Sequence, residues 1–334
     1  MYKVAISHIF IYTSPVQRYN IGTIIKEFRN RKNINQEDLC SNLCAISTLS
    51  KIESGKCVPH ELLARALLER LDLPSSLFIF PCSEEELERR KIEEEINRRI
   101  SFKIYNYDDL LEKYKNIAAD MNIFEKQFYL WAKSENKPNL DKKEILYLST
   151  EAIKLTIKNF DFNIDLYNNF FTLQELKIIN SISFNTDSIL LLSNLIKYFE
   201  IKKYDDQEYK DLYINILYNI TLKYFRSENY TEGIIYCNRG LEYIKANMIF
   251  NKLLDFSCLR GYMLIYLNNK EEGIKELINT LLFQKESGNY NEFHLLSKDI
   301  ENRFGRKFYI NIQQRVDSLA VQTKNDFNRS AKVS

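Results

Sequence analysis

NQEDLCSNLCAISTLSKIESGK, at Asn35–Lys56, is the stretch on which the reading of the whole chain turns. Asn35 precedes a run with Asp38 three residues on, an arrangement like a capping box that starts a helix. Leu39 and Leu43 are expected to face inward from that helix. A tight turn at Cys44–Ile46 follows. Ser47 or a neighbour then caps a third helix, whose Leu49 and Ile52 pack back on the second. Gly55 ends it in the left-handed conformation that glycine tolerates best. Upstream, Ile21, Ile24, Ile25 and Phe28 form the i, i+3, i+4, i+7 stripe of an amphipathic helix over 21–32. Downstream, Pro59 suits the first turn of a fourth helix, with Leu62, Leu63, Ala66, Leu67 and Leu71 on its apolar face. A short fifth helix around Ser75–Phe80 closes the unit near Pro81. Cys40 and Cys44, four apart, read as small core residues on one helix face.

The character changes at Ser83. Glu85 and Arg89, Glu86 and Arg90, Glu94 and Arg98, and Glu95 and Arg99 are Glu-to-Arg pairs at i, i+4, and Ile92, Ile96 and Ile100 form one narrow stripe. This predicts a linker helix between domains or, equally, the solvated first helix of the next domain. From Tyr105 to about Arg306, helical segments follow one another with brief polar breaks, the signature of an α-solenoid. RSENYTEGIIYCNRGLEYI at Arg226–Ile244 aligns with YLNNKEEGIKELINTLLF at Tyr266–Phe283, and their Glu-Gly pairs, at Glu232-Gly233 and Glu272-Gly273, stand 40 residues apart. That spacing suits a 34-residue helix-turn-helix repeat with a lengthened turn. The small residue lets two helices cross closely. The expected organisation is an N-terminal extension at 1–18, a helix-turn-helix domain at 19–82, a linker helix at 83–104, a solenoid at 105–312 and a C-terminal tail at 313–334, all-α throughout.

Composition agrees with this class. Eight Gly and five Pro in 334 residues are too few for the many tight turns of a sheet-rich fold. The six Cys form no CxxC pair, and with three His they offer no zinc-ligand pattern. No apolar run is long enough to span a membrane, no signal peptide is recognisable, and a reduced, cytoplasmic setting is expected. The net charge of +2 announces no nucleic-acid partner by itself. Between Tyr19 and Cys82 eight Lys/Arg face seven Asp/Glu, so any DNA contact must come from a local basic face. No Gly-rich phosphate loop, nucleophile elbow or clustered His, Cys and carboxylates points to an enzyme or a cofactor. The aromatic stretch Phe124–Trp131 reads as core.

IGTIIKEFRNRKNINQEDLCSNL, STLSKIESGK and Pro59 resemble the lambda-repressor-like (XRE) helix-turn-helix family. The turn between Leu43 and Leu49 is one residue shorter than the usual pattern, and Cys44 stands where glycine is usual. That shortened turn, together with LYINILYNITLKYFRSENYTEGIIYCNRGLEYI and CLRGYMLIYLNNKEEGIKEL, resembles the PlcR group of peptide-controlled regulators, which carry a tetratricopeptide-repeat (TPR) domain behind the helix-turn-helix. The architecture is also similar to the Rgg regulators of the same quorum-sensing (RRNPP) family.

The resemblance implies a homodimeric transcription regulator that binds double-stranded DNA and takes a short signalling peptide in its TPR groove. In this motif the N-terminal residues of the third helix meet base edges in the major groove. Ser47, Thr48, Ser50 and Lys51 are then the candidate readers, and Ile46 a candidate contact for a thymine methyl group. Gln36 binds a phosphate and braces the reading helix in the family; Arg31, Lys32 and Lys56 are further phosphate candidates. Arg29 and Glu53 occupy positions that form a structural ion pair. One helix reads few base pairs, so two readers on a two-fold axis and a palindromic operator are expected, with the dimer interface in the TPR domain. For the peptide, asparagines on the concave face bond an extended backbone, which points to Asn180, Tyr218, Asn219 and Arg260, with Tyr213, Lys223 and Tyr262 as second choices. The alternatives are a helix-turn-helix regulator that answers to a protein partner, and a TPR interaction or sensor protein that does not bind DNA.

Overall fold

The computed structural model describes residues 20–75, 83–117, 120–136, 140–162, 164, 166–167, 169–186 and 189–330, with side chains to 322. Among these residues there are sixteen helices and no strand. The expected extension at 1–18 and most of the expected fifth helix, at 76–80, lie outside the described residues. No described helix is long and apolar enough to cross a membrane. The chain divides into two compact units, Met1–Thr186 and Asp187–Ser334.

The first unit begins with α1 (Ile21–Arg31), α2 (Gln36–Cys40), α3 (Ile46–Glu53) and α4 (Glu61–Arg70). The side chain of Asn20 caps α1, and the Asn35 side chain accepts from the Asp38 amide to cap α2. Helix α2 is shorter than its apolar pattern suggests. Asn42 takes a left-handed φ of 59° and ends it, so Cys44 lies in the turn rather than on one helix with Cys40. Leu43 is buried from the turn instead. Two further local expectations are corrected. Ser47 does not cap α3: Ala45 takes that place without a side-chain bond, and Ser47 sits inside the first turn. Pro59 lies outside α4, which starts at Glu61 because His60 Nδ1 accepts from the Leu63 amide. Ile25, Leu39, Leu49, Ile52, Leu67, Leu68 and Leu71 are fully buried together, each worth about 1.5–3 kcal/mol of removed apolar surface. Helices α1 and α3 approach so closely that a Cβ at Gly22 would overlap the Ile52 carbonyl oxygen.

Helices α5 (Glu84–Ser101), α6 (Asp108–Ile117), α7 (Ile123–Glu135), α8 (Lys142–Lys154) and α9 (Leu173–Asn185) complete the unit. Capping boxes open α5, α7, α8 and α9. The stripe on α5 buries Ile92 and Ile96, but its ion pairs differ from expectation. Glu95 does take Arg99, and also Arg98, which was paired with Glu94 from sequence. Arg89 is buried, and turns from Glu85 to Glu93, Glu61 and Glu125. Arg90 bonds Glu61 rather than Glu86. A buried guanidinium needs buried acceptors, so packing overrides the exposed i, i+4 partner. Phe128 and Trp131 are core residues, and Phe124 and Phe170 pack against the α1–α4 core.

The second unit contains α10 (Leu190–Lys202), α11 (Gln207–Arg226), α12 (Tyr230–Asn247), α13 (Leu253–Tyr266), α14 (Lys270–Glu286), α15 (Tyr290–Phe304) and α16 (Arg306–Ser330). Successive helices pack as antiparallel neighbours joined by short turns. Left-handed residues at Lys203, Glu228, Met248, Asn268 and Gly288 reverse the chain. The aligned glycines lie at helix crossings. A Cβ on Gly273 would overlap the Gly261 carbonyl oxygen, and one on Gly233 would overlap Met263 Sδ. The last helix begins at Arg306 and buries Ile312, Val316 and Ala320, so the segment after 312 continues a packed helix.

Candidate nucleic-acid interface and sensor cavity

Helix α3, the candidate reader, is held from its C-terminal end. Arg29 Nε donates to Glu53 Oε1 at 2.6 Å, and Nη2 donates to Glu53 Oε2 at 3.0 Å. Arg29 Nη1 also donates to the Ile34 carbonyl at 2.9 Å. With the Glu53 side chain only 3% exposed, this two-toothed pair fixes α3 against α1. Glu53 raises the Arg29 pKa, its hydrogen bond being the largest cause. Gln36 Nε2 joins the same carboxylate at 2.7 Å. Gln36 therefore braces the pair by its amide nitrogen, alongside the phosphate contact that the resemblance implies for it.

The opposite, N-terminal face of α3 points to solvent. Ile46, Ser47, Ser50 and Lys51 are exposed, and Thr48 is half-buried. Ile46 is 47% exposed, unusual for an isoleucine next to a full core. Lys56 is exposed just beyond the helix, where its amide and that of Cys57 donate to the Lys51 carbonyl. Neither Lys51 nor Lys56 forms an ion pair with a described residue. Arg31 and Lys32 do. Arg31 bonds Glu27, and Lys32 Nζ bonds Asp72 at 2.7 Å. Their use as phosphate contacts requires exchange of these carboxylates, so Lys51 and Lys56 carry the local positive charge. Burial pushes the Cys44 thiol, in the turn before α3, up to about 11, and raises that of Cys40. Neither is a poised thiolate.

The peptide candidates are distributed differently. Asn180 lies half-buried on α9 in the first unit, whereas the others lie in the second, Tyr213, Tyr218, Asn219 and Lys223 on α11 and Arg260 and Tyr262 on α13. Two need correction. Arg260 is engaged on every nitrogen: Nε bonds Asn238 of α12 at 3.0 Å, and the two Nη groups bond Glu272 and Glu276 of α14. A guanidinium shared among three neighbours holds α12, α13 and α14 together and has no fork left for a carboxylate ligand. Tyr262 is 2% exposed, donates to Asp299 Oδ2 at 2.7 Å and stacks under the Arg303 guanidinium, so it is core. Tyr218 sits edge-on to Phe256, with Lys252 Nζ 5.1 Å from its ring centre. Asn219 and Lys223 are half-buried one turn apart on α11.

Tyr213 has another setting. It lines a cavity of about 530 Å³ at the α10–α11 turn, with Phe199, Tyr204, Tyr209 and Tyr243 as further aromatic walls and Lys203, Lys210 and Asn247 among its polar lining residues. Phe199 and Tyr213 stack at 5.5 Å, Tyr204 and Tyr209 at 4.0 Å, and Tyr243 meets Tyr213 edge-on at 4.8 Å. Burial raises the Tyr213 and Tyr243 hydroxyl pKa values, which keeps both protonated as donors. Sequence reading missed four of these five rings. The signal for three of them, Phe199, Tyr204 and Tyr209, lies in YFEIKKYDDQEY, at Tyr198–Tyr209, where aromatic residues crowd a helix break.

No family model matches the chain, and no curated protein does. Among solved structures it is similar to Bacillus thuringiensis PlcR in complex with the peptide PapR7 and DNA, at 18% identity over 83% of this chain and 98% of that one, with a TM-score of 0.50. It is also similar to a putative transcriptional regulator from Listeria monocytogenes EGD-e, at 13% identity over 85% and 97% of the two chains and a TM-score of 0.45. ComR from S. thermophilus, in complex with DNA and its signalling peptide ComS, matches at 16% identity over 84% and 98%, with a TM-score of 0.39. The likeness to PlcR shows a common fold: this chain is an all-α protein with a helix-turn-helix region followed by a TPR-like helical solenoid, the architecture of the quorum-sensing regulators its sequence resembles.

Proposed function

We propose that this chain is a homodimeric, cytoplasmic transcription regulator that reads a palindromic DNA operator with α3 and is switched by a short signalling peptide. The observation that carries this reading is the exposed face of α3. Ser47, Ser50 and Lys51 present donors and acceptors to solvent, while the buried Arg29–Glu53 pair fixes the helix behind them. A rigid helix with polar side chains at its N-terminal end suits the donor and acceptor code of the major groove. The peptide is assigned to the second unit, where the α11 residues Tyr218, Asn219 and Lys223 and the Tyr213 cavity offer aromatic walls and amide partners. Apolar residues exposed on α14, α15 and α16, including Phe283, Leu295, Ile310 and Val321, support a solenoid dimer interface. Gene regulation is the part of this reading that the known complexes of PlcR and ComR favour.

The deciding experiment selects duplexes from a random pool with the wild-type chain. Enriched palindromic sites are expected, with binding weakened by about 1–3 kcal/mol in Lys51→Ala, as for loss of one good base contact. Failure to enrich any sequence would favour the sensor that does not bind DNA. Sedimentation of the full chain tests the dimer, and a monomer at operator-binding concentration rejects it. Asn219→Ala should weaken peptide from spent culture medium by about 1–3 kcal/mol, as for a lost buried hydrogen-bond partner.

A further inference from the structure

The turn that aims α3 is held from behind by a single side chain. Arg70, the last residue of α4, is 4% exposed. Its Nη1 donates to the carbonyls of Leu39 at 3.1 Å and Ser41 at 2.7 Å, which belong to the end of α2 and to the turn leading into α3. Its Nη2 donates to Glu175 Oε1 at 3.2 Å, on the first turn of α9. The Glu175 side chain is fully buried, and it is fixed in its own right: Oε2 accepts from the Thr172 amide at 2.6 Å, and its amide donates to Thr172 Oγ1. The neighbouring Glu69 accepts from the Leu173 amide at 2.9 Å. Consecutive residues of α4 therefore both address the start of α9, more than a hundred residues along the chain.

Helix α2 has only five residues, and its C-terminal carbonyls have no partner within the helix. Arg70 supplies one. A guanidinium is a rigid plane, so its orientation towards Glu175 and its grip on the two carbonyls are one variable. The other ion pairs of this junction differ. Arg90 bonds Glu61 at the opposite end of α4, far along the helix from these carbonyls.

We propose that Arg70 is a positioning residue for DNA reading: it couples the first turn of α9 to the α2–α3 turn, so that a displacement of α9 re-aims α3. The coupling acts from the side away from the exposed face of α3 and needs no blocking of that face. Its DNA consequence rests on the proposed reading of α3, but the coupling itself is measured without DNA.

The test compares full-length Arg70→Lys, Glu175→Gln and Glu61→Gln. Lysine keeps a positive charge but cannot bridge both sides; Glu175→Gln keeps the shape and the capping contacts. Hydrogen exchange is followed at the Leu43, Cys44, Thr48 and Leu49 amides, which close the turn and start α3 through bonds to Cys40 and Ala45. Both changes at the Arg70–Glu175 pair should speed these amides about tenfold, as for loss of a charged hydrogen bond, whereas Glu61→Gln should leave them near wild type. Affinity for a duplex selected with the wild-type chain should fall in parallel, with Ser47 and Lys51 untouched. Unchanged turn amides in Glu175→Gln, or equal acceleration in Glu61→Gln, overturn the proposal. If no duplex is selected, the reading of α3 fails, and the exchange result alone decides the coupling.

Discussion

The arginines that tie helices together sit in different settings in the two units. In the first, Arg29, Arg70 and Arg89 are nearly or fully buried and reach carboxylates that are buried with them. In the second, Arg260 and Arg303 stay partly exposed and pair with carboxylates that are themselves in contact with water. Desolvation makes the buried pairs unforgiving, since removing one partner strands the other charge. The exposed pairs are screened and tolerant. The first unit is thus built to keep one geometry, which the proposed reading of bases by α3 requires. The second is held by close backbone crossings, aromatic rings and partly exposed ion pairs.

The strongest way to break this comparison is a pair of truncations. Arg29→Ala leaves Glu53 buried with only Gln36 beside it, and should destabilise the protein by about 3–5 kcal/mol. Arg260→Ala removes a 22% exposed side chain with two partly exposed partners, and should cost about 1 kcal/mol or less after screening. Denaturant unfolding of the full chain measures both. Equal costs would remove the distinction between the units. The second unit should instead be vulnerable where backbones meet. At the α13–α14 crossing a methyl group on Gly273 would strike the Gly261 carbonyl oxygen, an atom that cannot rotate away. Gly273→Ala is expected to cost about 1–3 kcal/mol by overpacking, and a neutral result would mean that these helices slide apart freely.

These contrasts also explain what the sequence could disclose. The apolar stripes of α1, α3 and α4 follow from periodicity, because each depends on residues within two turns of one another. Glu272-Gly273 was legible as a crossing point, since only a small residue permits one. The partners of Arg70 and Arg89 were not legible. Arg70 meets Glu175 across 105 positions, and Arg89 turns from Glu85 to Glu93 in the next turn of its own helix and to the distant Glu61 and Glu125. An i, i+4 pattern states which partner is near on an isolated helix, and burial then decides which is reachable without water. Arg260 shows the same limit: read from sequence as a ligand contact on the concave face, it meets three acceptors that α12 and α14 bring to it. The shortness of α2 was hidden because Asn42 tolerates a left-handed φ without advertising it.

The smallest expected effect concerns acid. His60 caps α4 through Nδ1, which accepts from the Leu63 amide only when unprotonated. Burial lowers its pKa from the ordinary histidine value, against the pull of Glu125 and Glu86 in the other direction. A folded-state pKa below the unfolded one means that the fold favours the neutral ring. Its contribution is therefore complete above about pH 6.5, the ordinary histidine value, and is lost as pH falls through that value towards the lower folded one. Losing the cap should cost about 1 kcal/mol. The second unit's single histidine, His294, lies inside α15 and caps no helix. Trp131, the single tryptophan, is buried in the first unit and reports on it directly. Unfolding followed by its fluorescence should show a loss of stability between pH 7.5 and 5.5 that His60→Asn, which keeps a capping acceptor, abolishes. An unchanged acid loss in His60→Asn would exclude His60 as its source; Glu93 beside Arg89, whose pKa is raised by burial, contributes with the other sign. A carboxylate of that kind stabilises the fold as pH falls, so it would have to give the opposite slope, and the sign alone separates the two.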